Sequence, residues 1–308
     1  MIYTHPACLE HEMGTGHPES PARLEAVLRA LDASEFAAVA RREAPRADRA
    51  QLERAHDPAY VALIHDAAPS EGMVRLDPDT AMSPASLEAA LRAAGAACAA
   101  VDSVVAGPSR RAFCAVRPPG HHATPDRAMG FCLFNSVAVA AHHALARHGL
   151  ARVAIVDFDV HHGNGTQDIF WDDERVLYAS THQWPLYPGT GREDERGRGN
   201  IVNAPLRPGA GAAEFRAACE ERVLPALEAF RPELVLISAG FDAHHLDPLA
   251  NINLASEDYG WITTLLVALA ERHASGRVVS MLEGGYSLTA LGESTAEHCR
   301  ALFAAPSV

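Results

Sequence analysis

Asp157, Asp159 and His161 stand at alternate positions in the string VAIVDFDVHHGNGT, directly after the apolar run 153–156. Alternate residues of an extended strand point to one side. The spacing therefore predicts three potential metal ligands leaving a strand together, followed at once by a Gly-Asn-Gly turn. Carboxylates at the exit of a buried parallel strand need partners, and a metal ion supplies one. Three further apolar runs end in polar chemistry. AFCAV leads into RPPGHHA with His121 and His122, LVLISAG into FDAHHLDP with Asp242, and RVVSMLEGG into Tyr286. An open α/β sheet binds its ligand beyond the C-terminal ends of its strands, so four such exits predict one convergent site.

The elements that must position these groups alternate between strand and helix. Strands are expected at 112–116, 153–158, 176–179, 234–239 and 277–282. Ser20-Pro21 and Ser83-Pro84 read as cap plus first-turn pairs opening helices at 21–31 and 84–105. The second is rich in alanine and suits close packing on a sheet. Asn135 should cap a helix that ends at Gly149, and Ser256 one that ends near Gly276. His142, His143 and His148 fall on the first of these and read as ordinary helix residues without carboxylate company. The charged segment 191–200, GREDERGRGN, reads as a solvated surface loop. Alternating β and α units imply a mainly parallel sheet. With no repeat and no low-complexity linker, the expectation is a single α/β domain over 1–308.

Bulk properties narrow the function. Hydrophobic residues make up 48% of the 308, enough for a large core, and no apolar run reaches membrane-spanning length. The opening MIYTHPACLE lacks a charged and then apolar leader pattern, and the six cysteines are scattered without a C-x-x-C pair. The expectation is a reduced, cytoplasmic protein. A formal net charge of −13 argues against a nucleic-acid partner and suits a cationic or neutral substrate.

In this order the segments GHPESPARL, RPPGHHA, GFCLFN, DFDVHHGNGTQDIF, YPGTG, SAGFDAHHLDPL and EGGY resemble the zinc-dependent histone deacetylase family, including its bacterial amidohydrolases and acetylpolyamine amidohydrolases. The likeness spans nearly the whole chain. Asn164 in HHGNGTQ stands where class I enzymes carry Asp, so the chain looks closer to the class II and bacterial branch. The resemblance implies the arginase/deacetylase-like fold and hydrolysis of an N-acyl-lysine or related acylated amine.

It also implies roles. Asp159, His161 and Asp242 match the family's zinc ligands, and this carboxylate-rich set also suits Fe²⁺ or Co²⁺. His122 matches the general base, oriented by Asn164, with His121 its electrostatic partner, held by Asp157. Tyr286, behind the hinge-like pair Gly284-Gly285, matches the oxyanion donor. Gly130, Phe131 and Tyr187 match the walls of an acyl-lysine tunnel, and Arg23 an arginine beside the acetate exit. A structural K⁺ is implied at Asp157, Ser180 and Thr181 with the main chain of Asp159 and His161, and a second at the main chain of Phe170 and Val176. Polyamine-selective relatives place Glu at the position of Leu249, which implies acyl-lysine peptides here, unless another acid such as Asp247 takes that part. Relatives commonly self-associate, so a homo-oligomer is a possible partner state. Two other readings use the same residues. A binuclear Mn²⁺ ureohydrolase shares the architecture, but His244 and Asn164 stand where its second ion needs charge. A catalytically dead acyl-binding module is opposed by intact His122 and Tyr286.

Overall fold

The computed structural model describes residues 1–304. Ten strands run in chain order: β1 (Ile2–Thr4), β2 (Arg41–Glu43), β3 (Val74–Arg75), β4 (Ala81–Met82), β5 (Arg111–Cys114), β6 (Val153–Asp157), β7 (Val176–Gln183), β8 (Ile201–Leu206), β9 (Leu234–Ala239) and β10 (Val278–Leu282). Eight of them form one sheet in the order β2-β1-β5-β10-β9-β6-β7-β8, every neighbouring pair parallel. β3 and β4 make a separate antiparallel hairpin. The five strands β5, β6, β7, β9 and β10 are buried at every residue. That is why each is built round an apolar run, as strands covered on both faces are.

Helices cover the sheet in two groups. Ser86–Val105 packs on β5, β10 and β1 and against Ser136–His148. Its buried stripe is mostly alanine, and at Gly95 a Cβ would overlap the main chain around Pro45 and Ala47. The small residues thus set how closely the backbone approaches. In the second group Leu288–Phe303 packs on both Ser256–His273 and Pro21–Leu31. Phe113 and Ser280 lie side by side in register, and both meet the buried His298 of that group.

The expected helices and strands are present, with boundary differences that have local causes. Asn135 caps its helix, accepting from Ala138 N at 3.0 Å, and Gly149 ends it in the left-handed conformation at φ 65°. Ser83 is not a cap: its N–H donates to Ser86 Oγ at 2.8 Å, and the helix starts at Ser86. Ser256 is the first helical residue rather than the cap. β7 extends four residues beyond the expected 179 because β8, absent from the expectation, pairs with it from Tyr178 to Gln183. β1 and β2 were also not foreseen; three residues each are too short to show a period.

Candidate active site

Asp159, His161 and Asp242 come together at the C-terminal ends of β6 and β9. His161 Nδ1 lies 3.1 Å from Asp159 Oδ1 and 3.1 Å from Asp242 Oδ2. Neighbouring ligand atoms in a tetrahedral shell of ordinary zinc–nitrogen and zinc–oxygen bonds are ~3.3 Å apart. The other carboxylate oxygens are anchored: Asp159 Oδ2 accepts Gly284 N at 2.8 Å and Asp242 Oδ1 accepts Val160 N at 2.8 Å. Burial, then the neighbouring Asp159 charge, pushes the Asp242 carboxyl up to about 7. Two buried carboxylates and an imidazole, their atoms converging on one point, offer the donors that a divalent cation takes once His161 gives up its proton. The donor set fits a metal.

The alternate spacing brings these groups together by a different device from the one expected. β6 ends at Asp157, and the chain then turns rather than running on extended. Asp157 Oδ1 accepts the N–H of Asp159 at 3.1 Å, and Asp159 Oδ1 accepts the N–H of His161 at 2.9 Å. Each aspartate fixes the residue two ahead, as Asx turns do. Asp157 itself faces away from the ligand group. Its Oδ2 accepts from His121 Nδ1 and from the Tyr178 hydroxyl, both at 3.0 Å.

The two histidine rings of RPPGHHA lie with centroids 4.0 Å apart, tilted 47° to each other, and their surroundings push their pKa values in opposite directions. Burial opposes protonation of His121, but the Asp157 and Asp159 carboxylates outweigh it and hold its pKa well above the ordinary value. Burial and the positive His121 and His161 push His122 well below its ordinary range. His122 Nδ1 lies 2.8 Å from Asn164 Oδ1. Because that oxygen is an acceptor only, Nδ1 carries the proton, and Nε2 keeps its lone pair. The loop is seated from behind by Glu283, whose Oε2 accepts Gly120 N at 2.7 Å and His121 N at 3.2 Å.

Tyr286 leaves β10 after Gly284-Gly285. These glycines are close-approach positions rather than a hinge: a Cβ on Gly284 would overlap the Asp242 and Asp159 carboxylates, and Gly285 has φ +123°. Asp247 Oδ2 fixes the next turn by accepting Tyr286 N at 2.6 Å and Ser287 N at 3.2 Å. Burial raises the phenol well above its usual pKa, so it remains a donor. Arg23 is fully buried beneath it, its guanidinium carbon 4.8 Å from the ring centre. Its donors go to Glu19 at 3.0 Å, Gly285 O at 2.6 Å and Glu283 O at 2.5 Å. Glu19, from the same GHPESPARL segment, is also gripped by Arg117 and faces His11 at 3.4 Å.

A cavity of about 250 Å³ leads to these groups, lined by Asp79, Pro119, His121, His122, Gly130, Phe131, His161, Leu186, Tyr187, Leu249, Gly284 and Tyr286. Tyr187 stands edge-on to His122 at 5.2 Å, and Phe131 to Tyr286 at 5.9 Å. Gly130 has no room for a side chain, since a Cβ would overlap the His122 ring. Leu249 is at this wall, its N–H held by Asp247 Oδ1 at 3.1 Å. Asp247 is therefore buried and committed to backbone amides, not offered to a ligand. The acid in the wall is Asp79, which nothing in its DPDT context marked out; burial and then Asp77 raise its pKa.

The implied cation positions differ in character. Asp157 and Ser180 are buried cross-strand partners on β6 and β7, with buried Thr181 next. At the other position, the carbonyls of Phe170 and Val176 both receive a hydrogen bond from Asn200 Nδ2. Asn200, at the end of the segment expected to be solvated, is in fact buried. One histidine expectation is corrected. His143 and His148 do have a carboxylate: both Nε2 atoms meet Asp102 Oδ1 of the preceding helix, at 2.8 and 2.7 Å, tying the two helices together. Sequence could not show this, because the partner lies on a different helix, 41 and 46 residues away. Among the described residues no helix is long and apolar enough to cross a membrane.

Comparison with known proteins agrees with this geometry. The family description "Histone deacetylase domain" matches residues 17–302. The chain is 45% identical to the histone deacetylase-like amidohydrolase of Pseudomonas aeruginosa, over 88% of this chain and 73% of that protein. It is 40% identical to the chloroplastic histone deacetylase 14 of Arabidopsis thaliana, over 100% of this chain and 78% of that protein. It is 38% identical to a probable deacetylase of Archaeoglobus fulgidus, over 93% and 81%. The crystal structure of the HDA15 HD domain superposes with a TM-score of 0.92 at 36% identity, over 98% of this chain and 87% of that one. A parallel eight-stranded sheet with its ligand group at the strand ends, and a family match over most of its length, place this chain in the histone deacetylase family.

Proposed function

We propose that the chain is a zinc-dependent deacylase acting on N-acyl-lysine or a related acylated amine. The observation that carries this reading is the meeting, at the floor of one cavity, of the Asp159–His161–Asp242 group, a neutral His122 and the Tyr286 phenol. Asp159, His161 and Asp242 would hold the ion, which supplies Lewis acidity and a nucleophilic water at neutral pH. Three protein ligands leave room for substrate. Fe²⁺ or Co²⁺ suits the same donors.

The protein groups then divide the work. His122 Nε2 takes the proton from the attacking water and delivers it to the departing amine, while Asn164 holds Nδ1–H and so fixes the tautomer. His121, kept positive by Asp157, makes the site favourable to developing negative charge and prevents His122 from protonating in the resting state. Tyr286 donates to the oxyanion as it forms. Phe131, Tyr187 and Gly130 enclose the aliphatic arm of the substrate. Arg23 backs the far end, where the acid product leaves. K⁺ at Asp157, Ser180 and Thr181 would brace the β6–β7 ends.

Acetylpolyamine hydrolysis remains the second reading because of Asp79. Its carboxylate in the cavity wall can accept either an amide N–H or a substrate ammonium. Leu249 supports the lysine reading, since an apolar side chain at that wall offers no second charge. The deciding experiment is a panel of acyl-lysine peptides and acetylpolyamines turned over by zinc-loaded enzyme. A higher kcat/KM for acetylputrescine or acetylspermidine than for every acyl-lysine peptide refutes the lysine reading. No turnover of any acylated amine refutes the deacylase.

A further inference from the structure

Three main-chain carbonyls converge at the N-terminal starts of β7 and β8, the edge of the sheet opposite the active site. Phe170 closes the helix Asn164–Phe170, Asp173 lies in the following turn, and Val176 opens β7. Their oxygens stand 2.8, 3.1 and 2.9 Å from one atom, Asn200 Nδ2. A ring of carbonyl oxygens around one point is what holds a monovalent cation in place of its water. The family resemblance implies such an ion at Phe170 and Val176. Here the centre of the ring is a side-chain amide.

We infer that Asn200 takes the place of a second structural cation, and that this chain binds no alkali ion between Phe170, Asp173 and Val176.

The amide's orientation is fixed by its other end. Asn200 Oδ1 accepts Arg198 N at 3.0 Å. Flipping the group would set an oxygen against three carbonyls and a nitrogen against an N–H, four like-with-like contacts. The backbone is fixed as well, because Asn200 O accepts Tyr178 N at 2.9 Å. Gly197 leaves the room this needs. A Cβ there would press within 2.8 Å of Asn200 Oδ1 and 2.6 Å of Trp171 O, at a φ of +52° that side chains rarely adopt. Asn200 is only 5% exposed, so the amide sits out of contact with bulk water. Carbonyls at and just after a helix end need donors from elsewhere, and this chain supplies them from its own sequence. An attached donor does not dissociate when the surrounding salt changes. The chain's response to K⁺ should therefore come from no more than the Asp157–Ser180 position.

The test is crystallographic and thermal, and needs no turnover. Wild-type crystals grown with Rb⁺ in place of K⁺ should show no anomalous peak within bonding distance of Phe170 O, Asp173 O and Val176 O. A peak there overturns the inference outright. Asn200→Ala removes the amide and reopens the ring. In choline chloride its melting midpoint should fall by roughly 3–8 °C, the cost of unsatisfied buried carbonyls. K⁺ or Rb⁺ should restore part of that loss, beyond any wild-type response, with rubidium appearing among the three oxygens. A variant whose midpoint responds to K⁺ no more than wild type speaks against a cation-like centre. If the variant fails to fold, the wild-type rubidium map decides alone.

Discussion

Replacing Tyr286 by Phe removes one oxygen and leaves the ring where it packs. Arg23 still lies 4.8 Å beneath the ring centre and Phe131 still meets its edge at 5.9 Å. The main chain keeps its two bonds to Asp247. The hydroxyl opens onto the cavity rather than onto a protein acceptor, so its loss should change stability by less than about 0.5 kcal/mol. Under the proposed function its work is confined to the transition state, where charge develops on the substrate oxygen. Loss of one preorganised donor of this kind costs about 10²–10³ in kcat, or about 2.7–4 kcal/mol. An interaction made only in the transition state lowers kcat and kcat/KM together and leaves KM nearly unchanged. The assay is steady-state hydrolysis of a fluorogenic acetyl-lysine amide by Tyr286→Phe and wild type, with metal content and melting midpoint measured on the same preparations. Wild-type kcat in the variant would refute the oxyanion role. So would a loss of rate that merely tracks a loss of metal, because the ring would then be holding the ligand group in place.

Three other outcomes follow from the same geometry. Chelation should abolish turnover and added Zn²⁺ or Co²⁺ should restore it, while Asp242→Ala should lose the metal along with the activity; full rate in a metal-free preparation contradicts the Asp159–His161–Asp242 assignment. Leu249→Glu should raise the ratio of acetylpolyamine to acyl-lysine kcat/KM several-fold, about 1 kcal/mol for a partly exposed ion pair; an unchanged ratio means that Leu249 only packs, and leaves Asp79 as the group to test. Burial opposes charge on Glu19, but Arg117 and His11 outweigh it and hold its pKa well below the carboxylate range. A depressed folded pKa gives stability that is full above about pH 4.5 and lost as pH falls further, toward the folded value. Glu19→Gln should therefore cost about 3–5 kcal/mol at neutral pH, by leaving Arg117 and Arg23 short of a counter-charge. The gap to wild type should hold from pH 7 to about pH 4.5 and narrow below it, in melting midpoints taken from pH 7 down to about pH 3. A constant gap would show that Glu19 acts by shape rather than charge.

What the sequence by itself determined is the family, the residues of the candidate site and the strands that carry them. Buried parallel strands are mostly apolar, so the carboxylates and histidines at their exits stand out. The spacing of Asp157, Asp159 and His161 marked the ligand group even though Asx turns, not an extended strand, produce the convergence. Local signals such as the Asn135 cap and Gly149 were legible because they act within one turn of chain. Tertiary structure decided what depends on partners distant in sequence. It separated Asp157 from the candidate metal-ligand group by giving it His121 and Tyr178. It turned Asp247 inward to amides and put Asp79 in the cavity wall. It paired Asp102 with two histidines that looked solitary, and placed Asn200, in a segment that reads as solvated, among three carbonyls. A carboxylate or an amide has the same composition whether it faces water, a ligand or a backbone donor; only the packing of separate elements chooses among these, by burying the group and fixing which atoms meet it.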